Sequence, residues 1–188
     1  MDLWKYYDNN QTQLIYPNIF VHTHEKEIAK TNPKWAFEYV LKHGKDEDLE
    51  PIIAKTPYHS YWYAHTILKG PFKLGEKAIA TDAQWSYDYA NRVLDGPFKL
   101  GEKAIAKIPG YSYAYAKSIL NGPFKLGEKA IAKDAELSYL YAFNILKGPF
   151  SLAEPIIAKN KHYSNVYTKN VLRKDFYLDD KLICKYEG

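Results

Sequence analysis

A strict internal repeat constrains this chain more than any other feature. Gly70-Pro71-Phe72 returns as Gly96-Pro97-Phe98, Gly122-Pro123-Phe124 and Gly148-Pro149-Phe150, a period of 26 residues. Glu76, Glu102, Glu128 and Glu154 keep that spacing, Glu50 and Asp180 extend it in both directions, and Glu25 fits if one residue is lost near the N-terminus. About seven copies fill the 188 residues. The first is degenerate: Trp35-Ala36-Phe37-Glu38-Tyr39 echoes Trp85-Ser86-Tyr87-Asp88-Tyr89 but reaches its glycine, Gly44, early. The last is truncated. A unit this short cannot bury an apolar face alone, so copies must stack.

Punctuation divides each unit into a longer and a shorter helix. Thr56, Asp82, Asp134 and Asn160 stand where a side chain accepts a hydrogen bond from first-turn amides, and Pro57 and Pro109 follow the cap position, where a missing amide hydrogen costs nothing. The longer helix runs to Gly70, Gly96, Gly122 or Gly148, expected to end it in the left-handed conformation before the proline. The shorter helix is expected from Pro71 to about Ala80, with Leu74, Ala78 and Ile79 facing inward and Gly75, Gly101, Gly127 or Ala153 as the point of closest approach. Pro51 and Pro155 sit early enough to be tolerated there, and Lys107, Lys133 and Lys159 follow the apolar stretch, as the helix dipole favours.

On a helical wheel centred on Ser86, the longer helix shows one apolar face with a small centre, Ser86 and Ala90, repeated as Ser60/Ala64, Ser112/Ala116 and Ser138/Ala142. The two tyrosines of each Ser-Tyr-x-Tyr-Ala segment flank that centre and are expected to pack their rings while their hydroxyls reach the rim. The predicted fold is all-α: an α-solenoid of two-helix repeats, with residues 1–24 as an N-terminal cap, 25–174 as the array and 175–188 as a truncated C-terminal repeat acting as cap. The period is shorter than that of tetratricopeptide or ankyrin repeats, and glycine–proline breaks exclude a coiled coil.

Composition bounds the function. The chain carries 18 Tyr, one Met and a single cysteine, Cys184, so neither a disulfide framework nor a thiolate metal cage can form internally. It lacks an apolar run long enough to span a bilayer, and Met1-Asp2-Leu3-Trp4-Lys5 lacks the layout of a signal peptide, so a soluble cytoplasmic protein is expected.

The strings Ala153-Glu154-Pro155-Ile156-Ile157-Ala158-Lys159 and Leu49-Glu50-Pro51-Ile52-Ile53-Ala54-Lys55, with Ser-Tyr-x-Tyr-Ala-x-x-Ile-Leu-x-Gly, resemble tandem 26-residue helical repeats of uncharacterised phage and giant-virus proteins. The turn departs from that class, reading Gly-Pro-Phe-Lys-Leu instead of Gly-Arg-Trp-Pro-Glu. The resemblance implies a viral source and an interaction scaffold, acting in the host cytoplasm, and brings no active-site motif with it.

Catalysis finds no support in the residues. His22 and His24 lack further ligands at a familiar spacing, His59 and His65 point apart on one helix, and His43 and His162 are isolated. Cys184 falls at the position of Ala158, which predicts a small buried side chain. The recurring serines have no recurring base, and Gly-Pro-Phe-Lys-Leu-Gly has the wrong spacing for a phosphate loop. No catalytic residue, metal or cofactor is therefore expected.

Binding remains. Stacking would align Lys73, Lys99 and Lys125 in one column and Lys77, Lys103 and Lys129 in another, a possible track for nucleic acid, opposed by an acidic column of Glu76, Glu102 and Glu128 and by a net charge of only +4. Protein binding is the stronger expectation. Large apolar residues on the predicted wet face of the longer helix, Trp62, Leu140 and Phe143, are its candidate anchors, with Arg92 and Lys117 between them.

Overall fold

The computed structural model describes residues 24–188. The expected N-terminal cap over 1–24, His22 included, lies outside them but for its last residue. The described chain is a mostly helical array of stacked helix pairs. Long helices begin at Pro33, Pro57, Ala83, Pro109, Ala135 and Lys161, and the short ones span Glu50–Ile53, Glu76–Ile79, Glu102–Ile105, Glu128–Ile131 and Glu154–Ala158.

The long helices start where cap chemistry places them. Asn32, Thr56, Asp82, Asp134 and Asn160 have extended backbones, and each side chain accepts a first-turn amide, at 2.8 Å for Asp134 to Leu137 N and 3.1 Å for Asp82 to Trp85 N. Ile108 holds the cap position with no accepting side chain, ahead of Pro109.

Their ends differ from expectation. Five of the long helices widen into a π-helix in the final turn, at Tyr63–Leu68, Ala90–Leu94, Ala116–Leu120, Ala142–Leu146 and Thr168–Leu172. The Ala64 carbonyl consequently accepts both the Lys69 and the Gly70 amides, and Ala90, Ala116 and Ala142 repeat the pattern. The left-handed residue is therefore the one before the glycine: Lys69, Asp95, Asn121, Lys147 and Arg173 have φ between 47° and 54°. Lys174 follows Arg173 where the other copies have glycine, so this turn does not need one.

The short helix also starts later than expected. Phe98 is extended (φ −111°, ψ 83°) and drives its ring into the core, and only then does a 3-10 turn, Lys99–Gly101, lead into Glu102–Ile105. Phenylalanine thus takes the inward position that the helical wheel assigned to leucine. Leu74, Leu100, Leu126 and Leu152 turn outward and are 52–57% exposed.

The core follows the small centre of the long helix. Ser86 is fully buried and donates its hydroxyl to the Ile79 carbonyl at 3.0 Å, as Ser60, Ser112, Ser138 and Ser164 do to Ile53, Ile105, Ile131 and Ile157. On the other side, a Cβ built on Gly101 would lie 2.5 Å from the Ser86 Cβ. Ser60, Ser86 and Ser112 are each clamped between the short helix before them and the turn into the one after, where Gly75, Gly101 and Gly127 allow the second approach; Ala153 takes the equivalent position in the next copy. Long helices meet through aromatic pairs, Tyr61–Trp85 at 5.2 Å, Tyr87–Tyr111 at 5.8 Å and Tyr139–Tyr163 at 6.3 Å between ring centroids.

The C-terminal segment caps the array as a β-hairpin instead of a truncated helix. Phe176 still fills the phenylalanine position against Tyr167, with ring centroids 5.5 Å apart, but the chain continues as antiparallel strands Phe176–Leu178 and Lys181–Cys184 around left-handed Asp179 and Asp180. Cys184 accordingly lies on a strand, half-buried, with its thiol 3.0 Å from Asn165 Oδ1, and not in a short helix.

Three substitutions test this framework by denaturant titration. Asp134→Ala should cost about 0.5–2 kcal/mol, and Ile108→Asp should gain a comparable amount by supplying the missing cap. Gly101→Ala should cost about 1–3 kcal/mol, because its methyl group has nowhere to go between Ser86 and Phe98.

Candidate interaction surface

The surface is shaped by a buried junction that recurs through the central units. The Phe98 amide donates to the Tyr115 hydroxyl at 2.9 Å, and that hydroxyl donates to Glu102 at 3.2 Å. Lys99 closes the group from outside, 3.0 Å from the same carboxylate. Tyr89 with Phe72, Glu76 and Lys73 repeats it, as does Tyr141 with Phe124, Glu128 and Lys125. Tyr167 joins Phe150 to Glu154, and Tyr63 donates to Glu50. In the degenerate first unit, Lys42 and His43 hold Glu25 instead.

Two expectations change here. The second tyrosine of each Ser-Tyr-x-Tyr segment keeps its hydroxyl inside the junction, away from the rim. The glutamates are not an exposed acidic column: Glu76 and Glu102 are 8% exposed and carry internal hydrogen bonds. Burial pushes the phenol of Tyr115 up to about 12 and those of Tyr63, Tyr89, Tyr141 and Tyr167 up as well, with the adjacent carboxylates adding to the effect.

With its glutamates turned inward, the short-helix layer presents leucine and lysine to solvent. Lys73, Lys99 and Lys125 are exposed along their stems but tethered to the junction carboxylates. Lys77, Lys103 and Lys129 are exposed and have no ion-pair partner among the described residues. One turn from this second lysine column runs the column Leu74, Leu100 and Leu126, continued by Leu152. At each end of the ridge lies an open groove between successive turns. One, of about 760 Å³, is lined by Lys45, Glu50, Leu68, Pro71, Phe72 and Leu74, and the other, of about 600 Å³, by Pro149, Glu154, Leu172, Phe176 and Tyr177.

The long-helix candidates do not form one site. Trp62 is half-buried, not solvent-facing, and packs against Tyr58, Tyr61 and His65 and the core behind them. Arg92 sits 3.8 Å from Asp88 and beside Tyr61, and Lys117 lies over the Tyr113 ring at 5.8 Å. Phe143 is 43% exposed, stacks on Tyr139 at 5.8 Å, and borders a 290 Å³ cleft with Lys147, Asn170 and Arg173. Leu140 is half-buried outside the main core.

The leucine column is the element that the wheel missed. Its signal was the repetition itself: an apolar residue kept at four equivalent positions, for which the extended phenylalanine left no inward place. Among the described residues no group of three or more His, Cys, Asp or Glu side chains is arranged to hold a metal ion, and no helix is long and apolar enough to cross a membrane. Comparison with protein-family models, curated proteins and solved structures finds no match to the chain.

The junction makes two measurable demands. Tyr115→Phe leaves the buried Phe98 amide without its acceptor and Glu102 with Lys99 as its remaining partner, and should cost about 1–3 kcal/mol. Raised phenol pKa values stabilise the fold fully below the unfolded value of about 10, and that contribution is lost as pH climbs toward the folded values. The protein should therefore hold its stability up to about pH 10 and then unfold, with tyrosinate absorbance from the junction tyrosines rising together with the loss of helical circular dichroism.

Proposed function

We propose that this chain is a non-enzymatic repeat scaffold that binds another protein, and that the leucine–lysine ridge of the short-helix layer is the binding surface. One observation carries the reading. Leu74, Leu100, Leu126 and Leu152 are more than half exposed yet identical in all four central copies, while exposed long-helix positions such as Asn91, Lys117 and Phe143 differ from copy to copy. A half-exposed side chain contributes little to the stacking that repetition maintains elsewhere, whereas apolar groups aligned on a surface suit a partner. In the viral setting that the sequence resemblance implies, such a scaffold acts in the host cytoplasm as an adaptor or inhibitor of a host factor.

Nucleic acid is the second reading. Burial of the glutamate column supports it, since Lys77, Lys103 and Lys129 are left unopposed beside Lys73, Lys99 and Lys125. Against it, leucines and prolines separate these lysines, while the tyrosines nearest them, Tyr89, Tyr115 and Tyr141, are buried in junctions and cannot stack on bases.

The test is a pair of surface variants. Leu100→Ser with Leu126→Ser should leave the melting temperature nearly unchanged and weaken a captured protein partner by about tenfold or more. Leu140→Asp with Phe143→Ser should leave that affinity intact. The opposite pattern would move the site to the long helices. Binding of a single-stranded oligonucleotide that falls steeply with salt and with Lys103→Glu and Lys129→Glu would establish the second reading instead.

A further inference from the structure

Resting on the proposed protein-binding ridge, we infer the form of its occupant: an acidic amphipathic helix, lying along the array, with an apolar residue at every seventh position. Two features of the ridge carry this, its charge and its pitch.

The charge follows from the junctions. The glutamate of every short helix is taken inward by a tyrosine hydroxyl, at 2.9–3.2 Å from Glu50 through Glu154. Lys77, Lys103 and Lys129 face solvent with no acidic partner among the described residues, and Lys107, Lys133 and Lys159 at the ends of the short helices are exposed as well. A complementary surface must be apolar along the leucine row and acidic beside it.

The pitch selects the backbone. Packed helices lie about 8–10 Å apart, and we take successive leucines to recur about every 10 Å, the upper end of that range. Seven residues of α-helix rise about 10.5 Å, which places one apolar side chain over each leucine in turn, with flanking positions free to carry carboxylates toward the lysine row. An extended strand repeats a side chain on one face about every 7 Å and drifts out of register within two leucines. A polyproline helix has a suitable rise but docks in aromatic-lined grooves, and the rings that run beside the leucine row are inside, Phe72, Phe98, Phe124 and Phe150 being 3–4% exposed. Four leucines define three intervals, a span of about 30 Å or about 20 helical residues.

The experiment uses the full chain and synthetic peptides of about 22 residues, the length that spans the ridge. One has leucine every seventh position flanked by glutamates, one the same composition with leucine every fifth, and one the heptad pattern with lysine for glutamate. Phosphatidylserine vesicles and a single-stranded oligonucleotide serve as other anionic probes. The heptad acidic peptide should bind about tenfold or more tighter than either peptide control, gain helical circular dichroism on binding, and lose affinity with Leu100→Ser and Leu126→Ser. Lys103→Glu with Lys129→Glu should transfer the preference to the lysine-flanked peptide, with melting curves confirming that the variants are folded. Equal affinity for the two leucine spacings, or preferential binding to the vesicles or the oligonucleotide, would overturn the inference. A captured protein that still depends on Leu100 and Leu126 when the heptad peptide does not bind would sink the helix while leaving the ridge standing. Loss of both dependences would remove the ridge itself.

Discussion

A buried tyrosine hydroxyl, accepting from a phenylalanine amide and donating to a glutamate, is the interaction from which the rest of this molecule follows. It ties the entry of each short helix to the long helix after it. Because the Phe98 amide is directed at Tyr115, Phe98 must be extended, and its ring enters the core against Tyr89 at 5.0 Å. The short helix therefore begins one turn late, Leu100 is left outside, and Glu102 is drawn in. The same junction that locks the repeat to its neighbour thus decides the polarity of the outer surface. Removing the hydroxyl costs more than one hydrogen bond, since the buried Phe98 amide loses its acceptor and Glu102 is left with Lys99 alone.

The architecture was legible because it rests on local rules. The 26-residue period, the capping side chains, the early prolines, and the small Ser–Ala centre facing Gly75, Gly101 and Gly127 all read directly from spacing and residue type, and the structure places them accordingly. What could not be read depends on contacts between units. A wheel treats Leu74 as one more apolar residue on a helix that starts at Pro71, with no means of knowing that Phe72 is held extended by a residue 17 positions away. Glu76 looked like surface charge for the same reason: its partner, Tyr89, lies in the next helix. The left-handed residue was assigned to glycine on propensity, but a π-widened last turn shifts that conformation onto Lys69, Asp95, Asn121, Lys147 and Arg173. At the C-terminus, Phe176 continues the pattern by one residue more, and the chain then turns through Asp179 and Asp180 into a hairpin that the helical period hid.

For function, the consequence is an inversion of the usual way to read a repeat protein. Variable exposed positions are the natural place to seek a specific partner, and here they yield scattered residues. Arg92 lies against Asp88, Trp62 is half-buried, and Phe143 rests on Tyr139. The constant residues, once those that pack are subtracted, leave a continuous leucine row with lysines beside it. The proposed partner is periodic for that reason: it would match the row copy for copy.

Amide hydrogen exchange at Phe98, Phe124 and Phe150 tests the account most directly. None of these amides belongs to a regular helix, and each donates to a tyrosine hydroxyl at 2.8–2.9 Å inside a junction. They should exchange as slowly as the most protected long-helix amides, opening only with global unfolding, and Tyr115→Phe should release Phe98 selectively. Rapid exchange of all three in the otherwise folded protein would show that the junction does not hold the units together, and the outward placement of the leucines would lose its cause.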